Sequence, residues 1–426
     1  MQRPPVSEAA VLVRLVLPGD DPAEVDESLE EMRRLAWTAG AEVACTIVQR
    51  RAVPCPATLI GAGKVEQIRA AVGELEADLV IFDSELSPTQ GSKLQKSLGV
   101  KVVDRTQLIL DIFAQRARTN EGKHQVELAQ LQYILPRLTG RGVEMARLGG
   151  GIGTRGPGEQ KLEVDRRVIR KRIDRLRAEL GEIRKHRQVQ RKRRTEGAIG
   201  TVALVGYTNA GKSSLLNALT QAGVFVEDKL FATLDPTSRR CSLPGGGQIV
   251  ITDTVGFIRK LPHGLVAAFR ATLEEVNEAD LILLVADVSH EGVDDQVSAV
   301  RSVLEEIDAH GKPMIRVYNK VDAAGEDTVR EKLNLPGESC AVSALTREGL
   351  GDLLNRIERY FATARTRVTL RIPQNEANVA ARVYEWGRVF ERSYEENFIL
   401  IDAELGAPQL GALKAYVVDD DPERGN

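Results

Sequence analysis

Cysteine is scarce in this chain of 426 residues, and none of the four forms a C-x-x-C pair. Cys45, Cys55, Cys241 and Cys340 therefore read as small apolar side chains in a reducing compartment, not as a disulfide framework or a zinc site. The five histidines lack metal-ligand spacing, so no zinc is assigned. No apolar run approaches the roughly 20 residues that cross a bilayer, and no membrane span is expected. Nor does the start, Met1-Gln2-Arg3-Pro4-Pro5, offer an apolar h-region or a small-residue cleavage site. Strand-like residues 11–17 run straight into Pro18-Gly19-Asp20-Asp21, which is not a signal-peptide pattern. The expected location is the cytoplasm.

What is present is a soluble globular composition, 42% apolar and 28% charged, which excludes a largely disordered chain. At this length several domains are expected. The net charge of −3 hides an asymmetry. Residues 165–194 hold fourteen Lys/Arg against four Asp/Glu, a surplus of ten, so the remainder carries −13. A basic block of this kind fits nucleic acid or a solvated helix face.

Apolar runs at 11–17, 43–48, 79–82 and 100–103 alternate with helical patterns at 23–39, 63–75 and 87–98. That alternation predicts a small parallel α/β domain over 1–115. From 116 to 197 only helical spacing remains, interrupted by a glycine-rich stretch at 148–158. The pattern predicts a hairpin of two long helices with a basic second arm. Apolar runs at 202–205, 249–252, 281–286, 314–318 and 339–342 predict a doubly wound G domain over 198–364. A strand at 367–372, a helix at 377–390 and a strand at 397–402 predict a small α+β domain over 365–426.

The strongest motif is Gly206-Tyr207-Thr208-Asn209-Ala210-Gly211-Lys212-Ser213, a G-x-x-x-x-G-K-[ST] phosphate loop between a strand and a helix. Its backbone N–H groups would cradle phosphates, Lys212 would add a point charge, and the Ser213 hydroxyl would ligate Mg²⁺. Asn319-Lys320-Val321-Asp322 stands 107 residues beyond that lysine, at a strand end, and resembles the N-K-x-D motif of GTP-binding proteins. Asp322 would accept the guanine ring N–H and exocyclic amine, a donor pair that adenine lacks. Asp253-Thr254-Val255-Gly256 matches D-x-x-G, with Asp253 toward Mg²⁺ and the Gly256 N–H toward the γ-phosphate. Phe231-Ala232-Thr233-Leu234-Asp235 supplies the switch-I threonine, Thr233, as a further Mg²⁺ ligand. Ser343-Ala344-Leu345 would support guanine from behind.

Lys212, Thr233 and Gly256 are thus the expected catalytic set, and Ser213, Thr233 and Asp253 the expected metal set. Phe257 occupies the place where many GTPases carry a water-orienting Gln, so slow intrinsic hydrolysis is expected. Asn209 is either a ligand for K⁺ near the phosphates or a residue that tolerates an unusual backbone angle. Two other glycine patterns, Gly151-Ile152-Gly153-Thr154-Arg155-Gly156 and Gly61-Ala62-Gly63-Lys64, lack the context of a nucleotide site and read as a loop and a helix entry.

The region joining the two α/β domains carries more specific marks. Arg105-Thr106 through Arg116-Ala117, Glu121-Gly122 through Gln130-Leu131, Leu135-Pro136-Arg137-Leu138 and the stretch Gly149 to Glu159 together resemble the HflX family of GTPases, over roughly residues 10 to 362. Where relatives usually read Gly-Glu-Thr-Gln-Leu-Glu, this chain has Gly158-Glu159-Gln160-Lys161-Leu162-Glu163. The resemblance implies a GTP/GDP switch, acting as a monomer, that binds the large ribosomal subunit through ribosomal RNA and splits or rescues stalled ribosomes under stress. The competing readings are an ATPase that remodels RNA directly, which Asp322 disfavours, and a non-hydrolysing scaffold, which the Lys212, Ser213 and Asp253 set disfavours.

Overall fold

The structure, a computed structural model, describes residues 8–139, 157–195, 200–220, 230–259, 273–363, 365–406, 409–410 and 413–418. The chain divides into two compact units. The first comprises residues 1–181, 227–235 and 259–270; the second comprises 182–226, 236–258 and 271–426.

In the first unit, β1 (Glu8–Val16), β2 (Ala41–Arg50), β3 (Leu79–Phe82) and β4 (Lys101–Asp104) form a parallel sheet in the order β2-β1-β3-β4. Helices α1 (Pro22–Ala39), α2 (Ala62–Glu74) and α3 (Pro88–Leu98) make the crossovers. Each starts where local chemistry allows. Asp21 caps α1, Ser87 and Gln90 form a capping box on α3, and Gly61 precedes α2 as its N-cap. Val11, Val13, Val80, Phe82, Ile68 and Leu94 fill the space between sheet and helices. The buried Asp83 carboxylate, just after β3, accepts from Ser28 at 2.8 Å, from Arg105 at 3.0 Å and from Arg14.

Two further helices, α4 (Arg105–Arg116) and α5 (Asn120–Ile134), follow, and a short 3₁₀ turn, Leu135–Thr139, extends α5. Helix α6 (Pro157–Thr195) is the basic arm. The hairpin is therefore unequal, because its first arm spans 15 residues against 39 in the second. Pro157 and Gly158, expected in the glycine-rich loop, instead open α6, and proline suits a first helical turn. The rest of that loop lies outside the described residues. Leu128 on α5 meets Ile173 and Leu176 on α6, with Leu131, Ile169 and Leu180 around them. Arg172 grips Glu127 through two hydrogen bonds of 2.7 Å.

The second unit contains a six-stranded sheet built from β5 (Gly200–Gly206), β6 (Thr237–Ser242), β7 (Gln248–Asp253), β8 (Leu281–Asp287), β9 (Met314–Asn319) and β10 (Ser339–Ala341). Its order is β10-β9-β8-β5-β7-β6, and only β6 is antiparallel to its neighbour. Helices α7 (Lys212–Thr220), α8 (Val293–Glu306), α9 (Glu326–Leu333) and α10 (Leu350–Thr363) accompany it. Leu204, Leu215, Ile251, Leu283, Val317 and Leu353 sit in the core of this sheet.

The same unit ends in β11 (Arg365–Pro373), α11 (Ala377–Trp386), β12 (Arg388–Glu395) and β13 (Phe398–Gly406), an antiparallel sheet ordered β11-β13-β12. The helix expected to reach residue 390 stops at Trp386. A Cβ at Gly387 would meet the Glu404 carbonyl oxygen at 2.6 Å, so glycine lets the chain turn close against β13 and continue as β12.

Candidate nucleotide site

Strand β5 lies between β7 and β8, the point where the strand order reverses, and the phosphate loop leaves its carboxyl end. Crevices at such points hold ligands in open α/β sheets. Three glycines of the site are needed for steric reasons. A Cβ on Gly206 would stand 2.2 Å from the Val285 carbonyl oxygen, one on Gly211 2.2 Å from Asn319 Nδ2, and one on Gly256 2.8 Å from Thr208 Cα. Gly211 also has φ of +88°. Asn209 has φ of +63°, the left-handed backbone that one reading of it anticipates.

The loop is fastened from two sides. The Thr208 N–H donates to the Phe257 carbonyl at 2.7 Å, and the Phe257 N–H donates to the Gly206 carbonyl at 3.1 Å. Phe257 thus joins D-x-x-G to the phosphate loop through its backbone while its ring is buried, 1% exposed. From the other side, Asn319 Nδ2 donates to the Ala210 carbonyl at 2.9 Å, and Asn319 Oδ1 accepts the Ala344 N–H at 3.0 Å. A single buried amide therefore ties the phosphate loop to the Ser343-Ala344-Leu345 loop.

Lys212 begins α7 and is buried. Its Nζ donates to the carbonyls of Gly206 at 3.1 Å and Tyr207 at 2.9 Å. Burial pulls its pKa down to about 8, against the opposing pull of Asp253. The Ser213 hydroxyl donates to Asp253 Oδ2 at 2.6 Å. Thr254, fully buried, donates to the Leu204 carbonyl at 2.7 Å, and Val255 is buried beside it in sequence. A hydroxyl and a carboxylate meeting beside a phosphate loop are hard oxygen donors of the kind Mg²⁺ takes, so this pair fits that ion.

In the N-K-x-D segment, Asp322 is exposed and accepts a hydrogen bond from the buried Ser343 hydroxyl. Lys320 has φ of +66°, and its Nζ lies 2.6 Å from Asp287. The Val321 N–H donates to the Val342 carbonyl at 3.3 Å, while Leu345 is 83% exposed. Asp287 and the Ser343–Asp322 bond are features of this segment that sequence reasoning missed. The available signal was position: Asp287 ends β8 in register with Asn319 at the end of β9.

Five further expected site residues fall in the other compact unit. Phe231, Ala232, Thr233, Leu234 and Asp235 belong to the first unit. The Asp235 carboxylate accepts hydrogen bonds from Arg118 and Thr119.

Comparison with known proteins agrees with this architecture. Family profiles described as "GTP-binding GTPase N-terminal", "GTP-binding GTPase Middle Region", "50S ribosome-binding GTPase" and "HflX C-terminal domain" match residues 26–114, 116–194, 201–320 and 328–417. A GTPase HflX of Caldanaerobacter subterraneus is 48% identical over 96% of this chain and 94% of its own length. The GTPase HflX of Escherichia coli is 43% identical over 92% and 91%. A GTP-binding protein from the archaeon Sulfolobus solfataricus, crystallised with GDP, is 26% identical with a TM-score of 0.45 over 83% of this chain and 98% of that one. With relatives of this identity along nearly its whole length, the chain belongs to the HflX family of GTPases.

Proposed function

We propose that the chain couples its GTP cycle to binding the large ribosomal subunit, and that this splits or rescues stalled ribosomes under stress. In this reading the N–H groups of residues 206–213 surround the phosphates, Lys212 places its charge on them, and Asp322 selects guanine. Ser213 and Asp253, joined by Thr233, would hold Mg²⁺, which when bound neutralises charge on the β- and γ-phosphates. The buried Phe257 ring can neither donate nor accept a hydrogen bond to a water. Intrinsic hydrolysis is therefore slow, and the ribosome or a monovalent cation beside Asn209 completes catalysis.

One observation carries the ribosomal part. Helix α6 is 39 residues long, about 58 Å at the usual rise. Among its described side chains only Ile173 and Leu176 are buried. Arg167, Arg170 and Lys171 point to solvent. A helix that long, basic and little buried is suited to phosphate contacts along a folded RNA. The description of the matched GTPase profile, "50S ribosome-binding GTPase", supports the same partner.

The test replaces residues 149–156, the glycine-rich stretch preceding α6, with a short Ser linker. Co-sedimentation with large subunits and ribosome-stimulated hydrolysis should fall, while intrinsic hydrolysis stays at the parent's level. Equal co-sedimentation and equal stimulation would show that the hairpin serves the fold alone.

A further inference from the structure

The segment bearing Thr233 is anchored at both ends to the first unit. At one end the Phe231 ring meets Phe113 of α4 edge-to-face, with centroids 4.7 Å apart and planes at 78°. Phe231 is 2% exposed and has φ of +55°. A bulky L-residue keeps that backbone only where its surroundings impose it, and such strain clusters at switches and clamps.

At the other end Asp235 sits over the start of α5. Its Oδ2 accepts the backbone N–H groups of Arg118 and Thr119, each at 2.9 Å, and its Oδ1 accepts the Thr119 hydroxyl at 2.5 Å. The hydroxyl oxygen of Thr119, the N-cap residue, accepts the Gly122 N–H in turn at 3.0 Å. A Cβ on Gly122 would lie 2.3 Å from Asp235 Oδ1, so the carboxylate fits only because that residue is glycine. A carboxylate there is also favoured by the positive end of the helix dipole. Between the anchors, Ala232 is exposed and Thr233 half-buried. Arg259 belongs to the same unit: its guanidinium donates to Glu27 at 2.7 Å, and its carbonyl accepts from Arg105 at 3.0 Å.

We propose that Phe113, Thr119 and Gly122 form a latch for the switch-I segment, with Asp235 as the positioning residue for Thr233, so that the start of α5 responds to the bound nucleotide. The inference rests on reading Thr233 as the threonine that joins Mg²⁺ in the GTP state. Two anchors four residues apart remove most of the conformational freedom that Thr233 would otherwise lose on binding. GTP, which uses Thr233, gains from this preorganisation; GDP, which does not, gains nothing. Reciprocity then requires that GTP tighten the latch by the same factor.

The experiment uses the full chain, with affinities for a non-hydrolysable GTP analogue and for GDP in Mg²⁺, and hydrogen exchange at the amides of Arg118 and Thr119. In the parent, those amides exchange more slowly with the analogue than with GDP. Asp235→Ala weakens the analogue roughly fivefold or more, leaves GDP unchanged and makes exchange fast in both states. Asp235→Asn, whose carbonyl still accepts the two N–H groups, restores most of the difference. Gly122→Ala reproduces Asp235→Ala even though alanine favours the helix itself. An unchanged analogue-to-GDP ratio in Asp235→Ala, or identical parent exchange in the two states, overturns the latch. Thr233→Ala separates the layers: it removes the analogue preference while α5 stays protected with GDP. If Thr233→Ala keeps the parent's preference, the metal role of Thr233 falls, and the proposal falls with it.

Discussion

Lys212 joins two properties that pull in opposite directions. In the proposed site its charge meets phosphate, yet burial lowers its pKa to about 8, so above that pH the free site holds a neutral amine. A phosphate favours the ammonium form and raises the pKa again in the complex. Between the free and bound values, binding therefore takes up a proton, and affinity falls as pH rises, by up to tenfold per unit. We expect GTP affinity to be flat up to about pH 7.5 and to weaken above 8, with proton uptake visible by calorimetry in buffers of different ionisation heat. The stability of the nucleotide-free protein slopes the other way. The unfolded lysine, with its usual value of 10.5, binds more protons than the folded one between pH 8 and 10.5, so this residue contributes stability that increases with pH over that window. Lys212→Met should abolish both slopes. A parent affinity that is constant from pH 7 to 9.5 would show that the ammonium is not depressed in the free site.

The pairing of α5 with α6 rests on apolar contact more than on charge. Leu176 is fully buried against Leu128 and Ile173, whereas Arg172 and Glu127 keep more than a third of their side-chain surface in water. Leu176→Ala should cost about 2–5 kcal/mol of unfolding free energy. Arg172→Ala should cost much less, because solvent screens the pair. Denaturant titration distinguishes the two, and equal losses would make the ion pair the main fastening. These contacts also mark what could be read in advance. Leu128, Leu131, Ile173, Leu176 and Leu180 fall at helical spacing, so the hairpin was legible, as were the apolar runs that became the parallel strands of the first two sheets. Strand β6, Thr-Ser-Arg-Arg-Cys-Ser, was not, since only Cys241 in it is buried and its conformation comes from pairing with β7. Strand β12 was hidden for the same reason: among its residues none is buried. The phosphate-loop and N-K-x-D residues were legible from motif and spacing. The anchoring of Phe231 and Asp235 was not, because Phe113 and Thr119 stand more than a hundred residues away in the chain and no local pattern announces them.

Across the whole molecule, charge separates two modes of binding. The basic surplus of residues 165–194 in α6 stands against a remainder of −13, so an association through the arm with RNA should release counterions and weaken steeply with salt. Nucleotide affinity, in the proposed site a matter of backbone N–H groups and the buried Lys212, should respond far less. Within the arm, the structure sorts the cations. Arg167, Arg170 and Lys171 face solvent, Arg170 with a long 3.8 Å contact to exposed Glu163, while Nε and Nη2 of Arg172 donate to Glu127. Changing the three solvent-facing residues to Gln should make the slope of log affinity for large subunits against log salt shallower by about three. Arg172→Gln should leave that slope where it was, because its charge neutralises a carboxylate and not a phosphate. Intrinsic GTP hydrolysis should be the same in both variants and the parent. If Arg172→Gln flattens the slope as much as any exposed cation does, the Glu127 pair opens on the ribosome and the arm detaches from α5 when it binds. If the triple variant keeps the parent's slope, α6 is not the surface that meets the RNA.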